Sequence, residues 1–64
     1  MKDYYSIKEW FNFETDFMTE KLLGYIAYNM SNRNNYNIKP VLQKDGVNYI
    51  NTYHKEILEE ITQL

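Results

Sequence analysis

Hydrophobic and polar positions near the start of the chain follow the period of a short α-helix. Three apolar residues fall at spacings of three and four, which place them on one helix face. They are Ile7, Trp10 and Phe11. Ser6 precedes them and Glu9 stands three residues later, the spacing of a capping box in which each side chain accepts a hydrogen bond from the other residue's backbone amide. The pattern predicts a first helix that ends near Asn12 or Phe13.

A second helical pattern begins at Thr15 or Asp16, because either side chain can cap the free amide groups of a helix. Apolar residues form a broad stripe along it. They are Phe17, Met18, Leu22, Leu23, Tyr25, Ile26 and Met30. Gly24 interrupts the pattern, at a cost of about 1 kcal/mol relative to alanine. Five of the seven residues in 31–37 are asparagine or serine, which favour turns, so we expect the helix to end there and the segment to be exposed.

A β-hairpin is predicted next, because Asp45-Gly46 separates two runs of β-prone residues, 38–44 and 47–51. A two-residue Asp-Gly loop favours a type I′ turn, in which both central residues have positive φ. Pro40 cannot donate to a sheet, which predicts that it lies at a strand start or on an edge strand. The predicted register pairs Lys44 with Val47, Leu42 with Tyr49 and Val41 with Ile50.

The last pattern is helical again and begins near Asn51 or Thr52, either of which can cap it. Its apolar stripe consists of Tyr53, Ile57, Leu58, Ile61 and Leu64, and three glutamates lie on the opposite side. The chain is thus predicted to form one α+β domain, residues 1–64, in the order helix, helix, hairpin, helix. The predicted core consists of Ile7, Trp10, Phe11, Phe17, Leu22, Ile26, Leu42, Ile50, Ile57, Leu58 and Ile61.

Composition limits the chemistry of this domain. The 64 residues include no cysteine and one histidine, so a disulfide framework and a thiolate or multi-histidine metal site are excluded, and no cofactor is predicted. No apolar run approaches the roughly 18 residues of a membrane span. The N-terminus also lacks the apolar centre of a signal peptide. We therefore expect a cytoplasmic protein. A chain this short is marginally stable, and a homodimer fits every function considered below.

The element order and two short stretches carry a resemblance to a known family. "SIKEWF" and "KDGVNYINTYHKEILEEI" resemble the first helix and the closing hairpin and helix of small winged-helix domains of the phage and transposon excisionase type. These domains are related in form to the DNA-binding part of MerR-like regulators, and the resemblance covers residues 5–62. It implies a small regulatory protein that places helix two in the major groove and the hairpin, or wing, in the minor groove. Such proteins bend DNA and direct a recombinase or polymerase.

The DNA-binding residues follow from this resemblance and from the charges. By position, helix two offers Thr19, Glu20 and Lys21. Residues 31–44 hold three cations and no acid. The DNA-binding set is Lys21, Arg33, Lys39, Gln43, Lys44 and Asn48. The net charge of −2 and the acids beside Lys21 depart from the pattern, because recognition helices normally carry several donors to bases and phosphates. The alternative interpretation of these cations is a solvated loop with lysines that protect a sheet edge.

The second functional hypothesis is a module that binds a protein without contacting DNA. A small, acidic chain rich in tyrosine and asparagine resembles phage accessory proteins that inhibit host enzymes or defence systems. Aromatic anchors for such an interface are Tyr4, Tyr5, Trp10, Tyr28 and Tyr36, although tyrosines also complete small cores. Three glutamates, Glu56, Glu59 and Glu60, would either imitate phosphate or form a solvated helix face. Catalysis is not predicted, because His54 is a lone histidine without a nucleophile arranged around it.

Overall fold

A computed structural model describes residues 2–12 and 16–63 of the chain. Within these residues the fold is α+β, with three helices and a three-stranded antiparallel sheet. In chain order the elements are β1 (Tyr4–Tyr5), α1 (Ile7–Trp10), α2 (Phe17–Arg33), β2 (Lys39–Leu42), β3 (Tyr49–His54) and α3 (Lys55–Thr62). The prediction of a mixed α+β fold with three helices and an antiparallel hairpin is confirmed. The strand β1 precedes them and was not predicted.

The first helix is held by the predicted capping box. The Ser6 hydroxyl accepts a hydrogen bond from the Glu9 backbone N–H at 3.1 Å, and the Glu9 carboxylate accepts one from the Ser6 N–H at the same distance. The helix ends at Trp10, and Asn12 follows with a left-handed φ of 59°. The end near Asn12 is confirmed, and Phe13 lies outside the described residues.

The second helix begins at the predicted cap, Asp16, whose carboxylate accepts a hydrogen bond from the Thr19 N–H at 2.7 Å. Because this bond favours the ionised form, it lowers the pKa of the Asp16 carboxyl. Thr15, the other predicted cap, lies outside the described residues. The helix continues to Arg33, so the prediction that residue 31 already belongs to an exposed turn is wrong.

Ser31 is fully buried because it lies one turn after the buried residue Ala27, on the same face of α2. The asparagines end the helix only after this turn. The Asn34 N–H and side-chain amide both donate to the Met30 carbonyl, and Asn35 adopts a left-handed φ of 61°.

Replacing Ser31 with alanine is expected to stabilise the fold. The Ser31 hydroxyl is buried without a hydrogen-bond partner in the described part of the chain, and alanine also favours a helix. We expect the free energy of unfolding to rise by about 1 kcal/mol, which raises the melting temperature of a domain of this size by about 4–8 °C. Thermal unfolding followed by circular dichroism measures it. Ser6→Ala is the control, and should lower stability by about 1 kcal/mol because the Ser6 hydroxyl caps α1. A loss of stability in Ser31→Ala would contradict the prediction.

The hairpin pairs as predicted, but its turn does not close as predicted. Strands β2 and β3 pair Lys39 with Thr52, Pro40 with Asn51, Val41 with Ile50 and Leu42 with Tyr49, which confirms two predicted pairs. Pro40 lies on an edge strand, also as predicted. The type I′ turn and the strand pairing of Lys44 with Val47 are wrong. Of the two turn residues only Gly46 has a positive φ, 73°.

The turn is instead a four-residue loop over 44–47. The Gln43 N–H donates to the Asn48 carbonyl at 2.8 Å, and the Gly46 N–H donates to the Gln43 carbonyl at 3.0 Å. The Asp45 carboxylate accepts hydrogen bonds from the backbone amides of Val47 and Asn48, which lowers the pKa of its carboxyl. This side chain stabilises a wider loop while leaving the strand register unchanged.

The boundary between β3 and α3 differs from the prediction. The strand runs to His54 and the helix begins at Lys55, so the predicted caps at Asn51 and Thr52 are wrong. The reason is β1, which pairs Tyr4 with His54 and Tyr5 with Tyr53 and so extends the strand. The His54 imidazole caps α3 instead, because its Nδ1 accepts the Glu56 N–H at 3.1 Å.

The core lies between the helices and one face of the sheet. Its buried apolar residues are Ile7, Ala27, Tyr53, Ile57, Leu58 and Ile61. Four of these were predicted, and three further predicted residues, Trp10, Phe11 and Ile26, pack against the core while half-buried. The predictions for Phe17, Leu22, Leu42 and Ile50 are wrong, because these side chains are exposed. Within the described residues, the helices lack the length and apolar character needed to cross a membrane.

Candidate functional site

The surface of α2 that points away from the core is apolar. Five large side chains on it are between 48% and 75% exposed. They are Phe17, Met18, Leu22, Tyr25 and Tyr28. Helical spacing places Met18, Leu22 and Tyr25 opposite Ala27 and Ser31. Phe17 and Tyr28 lie at the side of the same surface, and we call all five the outer face of α2. A cation, Lys21, lies among them, with its ammonium group 5.5 Å from the centroid of the Phe17 ring.

Tyr53 holds α2 against the sheet. Its hydroxyl oxygen lies 3.8 Å from where a Cβ on Gly24 would stand, which is ordinary contact distance. Gly24 is therefore not needed for close packing. Burial raises the pKa of the Tyr53 hydroxyl, and Tyr28 adds to the shift. Since side chains alternate along a strand, the neighbours of Tyr53 in sequence, Thr52 and His54, belong to the sheet face turned away from α2.

That opposite face holds a groove of about 890 Å³. Val41 and Ile50, which oppose each other across β2 and β3, line it together with Thr52. The groove is also lined by four lysines, and we call it the lysine groove. They are Lys2, Lys8, Lys39 and Lys44.

The predicted DNA-binding residues are divided by this arrangement. Lys39, Gln43 and Lys44 come together in the lysine groove. Lys21 lies on the outer face of α2, and Arg33 is the last residue of that helix, about 18 Å further along its axis. Asn48 does not line the groove, because its side-chain amide donates to the Asp45 carboxylate at 2.7 Å within the turn. Thr19 and Glu20 belong to the first turns of α2, where Glu20 is half-buried.

Most of the predicted aromatic anchors stabilise the fold. Tyr5 contacts Trp10 edge-on, with ring centroids 5.3 Å apart, and both rings pack on the core. Tyr4 and Tyr36 lie against the His54 ring at 5.3 and 4.9 Å. These aromatic groups are half-buried.

Tyr28 is the predicted anchor that lies on an exposed apolar surface. Sequence reasoning missed its neighbours Met18, Leu22 and Tyr25 as surface residues. The available signal was that α2 carries apolar residues on all sides, which is unusual for a helix that covers a core with one face.

Acidic groups gather around α3. Glu56, Glu59 and Glu60 line a smaller groove of about 320 Å³, next to Tyr36, whose hydroxyl donates to the Glu56 carboxylate. This bond raises the pKa of the Tyr36 hydroxyl. His54 serves as a helix cap, with its Nδ1 3.7 Å from the Glu56 carboxylate. Among residues 2–12 and 16–63, no three His, Asp or Glu side chains are grouped so that they could hold a metal ion.

Comparison with known proteins identifies no relative of the chain. No protein-family model, no curated protein and no solved structure matches it.

Proposed function

We propose that the protein acts by binding another protein, with the outer face of α2 as its contact surface. The observation that carries this proposal is the exposure of five large apolar side chains on one helix. Contiguous exposed apolar surface of this kind is typical of protein–protein contacts, and aromatic side chains supply much of the binding energy there. Met18, Leu22 and Tyr25 stand at positions i, i+4 and i+7, the spacing with which a helix inserts into an apolar groove.

Lys21 indicates what the partner presents. It lies near the middle of the stretch 17–28, so packing this face on a second copy about a two-fold axis would bring two ammonium groups close together. Like charges in a desolvated contact are unfavourable. A different protein with a carboxylate beside its apolar groove avoids this cost. The proposed partner is therefore another protein, as expected for an inhibitor or accessory protein.

DNA binding by a winged helix has less support than the binding of a protein partner. It would place α2 in the major groove, where side chains that donate to bases and phosphates are needed. The outer face of α2 carries apolar groups and Lys21, while Lys39 and Lys44 lie on the far side of the sheet. This division of the cations favours a protein partner over a DNA duplex.

The experiment compares two substitutions of the same kind in the tagged full chain, expressed in cells of its natural source. Leu22→Asp places a charge on the outer face of α2. Val47→Asp places one on the hairpin turn, where Val47 is also highly exposed. Wild type and Val47→Asp should recover one protein in stoichiometric amount. Leu22→Asp should weaken its binding by about 30-fold or more, the effect of losing a hot spot of about 2 kcal/mol.

Two results would contradict the proposal. One is equal recovery by both variants when circular dichroism shows that both are folded. The other is binding of the wild type to a DNA duplex that falls steeply with salt and weakens in Lys21→Gln, because phosphate contacts have that signature.

A further inference from the structure

The lysine groove combines an apolar floor with a positively charged rim. Val41 and Ile50 leave 47% and 38% of their surface exposed there, although they pair within the sheet. Around them, four lysines face two carboxylates, Asp3 and Glu9. A groove of this size lies within the range of about 300–1,000 Å³ that is usual for ligand sites in proteins.

Both carboxylates at the rim are already engaged. Glu9 accepts hydrogen bonds from Lys2 and from the Ser6 backbone, and Lys2 is the main reason that the pKa of its carboxyl is lowered. Asp3 lies 3.6 Å from the ammonium group of Lys55. In residues 2–12 and 16–63, Lys8, Lys39 and Lys44 have no carboxylate within 4 Å. The rim therefore presents three positive charges to a ligand.

One of these charges is held in place. The Lys39 ammonium group lies 4.2 Å from the centroid of the Tyr4 ring, a cation–π contact. Its backbone carbonyl accepts a hydrogen bond from the Thr52 hydroxyl at 2.7 Å, which joins β2 to β3. A cation that is already ordered loses less conformational entropy when it pairs with an anion.

We propose that the lysine groove binds an acidic, extended segment of a protein partner. Apolar side chains of the segment lie on Val41 and Ile50, and its carboxylates pair with Lys8, Lys39 and Lys44. Nucleic acid fits less well, because unpaired bases bind by stacking on aromatic faces. The aromatic ring that lines the groove, Tyr4, is covered by Lys39 and contacts His54. The groove lies opposite α2, so this site goes beyond the proposed function and is independent of it.

The test measures fluorescence anisotropy of a dye-labelled peptide of eight residues in which glutamate and leucine alternate. The matched variants each remove two cations from the full chain. Lys8→Gln/Lys44→Gln changes the groove rim, and Lys21→Gln/Arg33→Gln changes α2. The rim variant should bind the peptide about two- to thirtyfold more weakly, since it loses two partly exposed ion pairs that contribute about 0.2–1 kcal/mol each. The α2 variant should change the affinity less than about twofold, because its cations lie outside the contact.

Four results would overturn the proposal. The first is that the wild type does not bind the acidic peptide, and the second is that both variants bind it equally more weakly. The third is that the wild type binds a single-stranded thymidine octamer more tightly than the peptide and the rim variant does not bind the octamer. The fourth is that the wild type self-associates and the rim variant does not. The last would mean that the acidic face of α3 of a second copy occupies the groove. Leu22→Asp should leave peptide affinity unchanged, so failure of the lysine groove and failure of the α2 surface are distinguishable.

Discussion

Leu58→Ala is expected to remove much of the stability of this protein. Leu58 is completely buried and belongs to the part of the core that α3 supplies. Truncating a buried leucine costs about 2–5 kcal/mol, through lost burial and the cavity that remains. A domain of this length has a total stability of about 3–10 kcal/mol. The variant should therefore show a large fall in its urea midpoint, and a substantial unfolded fraction in buffer if the wild type lies at the low end of that range.

The measurement is urea unfolding followed by the fluorescence of Trp10, the single tryptophan in the chain. Leu22→Ala is the matched control, because it makes the same chemical change on a helix where the side chain is 60% exposed. It should alter the free energy of unfolding by less than about 0.5 kcal/mol. Equal losses in the two variants would contradict the structure, because they would mean that Leu22 is buried as fully as Leu58.

Trp10→Ala is expected to have the next largest effect. It should lower the free energy of unfolding by about 2–4 kcal/mol, somewhat less than truncation of a fully buried tryptophan does. The four-residue helix α1 is too short to persist without tertiary contacts. Trp10 ties it to the far end of the chain, because its indole N–H donates to the Thr62 hydroxyl at 2.8 Å and its ring packs on Tyr5. Thermal unfolding followed by far-ultraviolet circular dichroism is the measurement, since the variant lacks the fluorescent group.

Trp10→Phe separates the ring from the hydrogen bond. It keeps most of the aromatic surface and removes the N–H donor, so we expect a loss of about 1 kcal/mol. Combined with Thr62→Val in a double-mutant cycle, it should give a coupling energy of about 0.5–1.5 kcal/mol. If Trp10→Phe is as destabilising as Trp10→Ala, packing of the ring on Tyr5 contributes nothing, and α1 is not held by aromatic contact.

The proposed sites lie on two sides of the molecule, the outer face of α2 on one and the lysine groove on the other. The first is apolar with a cation among its side chains, and the second is a basic rim around an apolar floor. A protein with both sites could contact one partner at two places or join two partners. The Leu22→Asp and Lys8→Gln/Lys44→Gln variants separate these cases, because each changes one site alone.

Sequence alone determined the features that depend on local hydrogen bonds and spacing. The capping box of Ser6 and Glu9, the cap at Asp16 and the pairing of Val41 with Ile50 were all predictable. Each involves groups a few residues apart, or a register that a short loop fixes. The positive φ of Gly46 was predictable for the same reason.

Tertiary structure alone decided three other features. Tyr53 and His54 became strand because Tyr5 and Tyr4 pair with them from the far end of the chain. The exposure of Leu22 was decided by which face of α2 meets the core, since a helix that is apolar on all sides does not specify the face it buries. The lysine groove joins residues from the N-terminus, α1 and the hairpin. The sequence did not predict it, because contacts between residues that are far apart along the chain leave no periodic pattern of hydrophobic and polar positions.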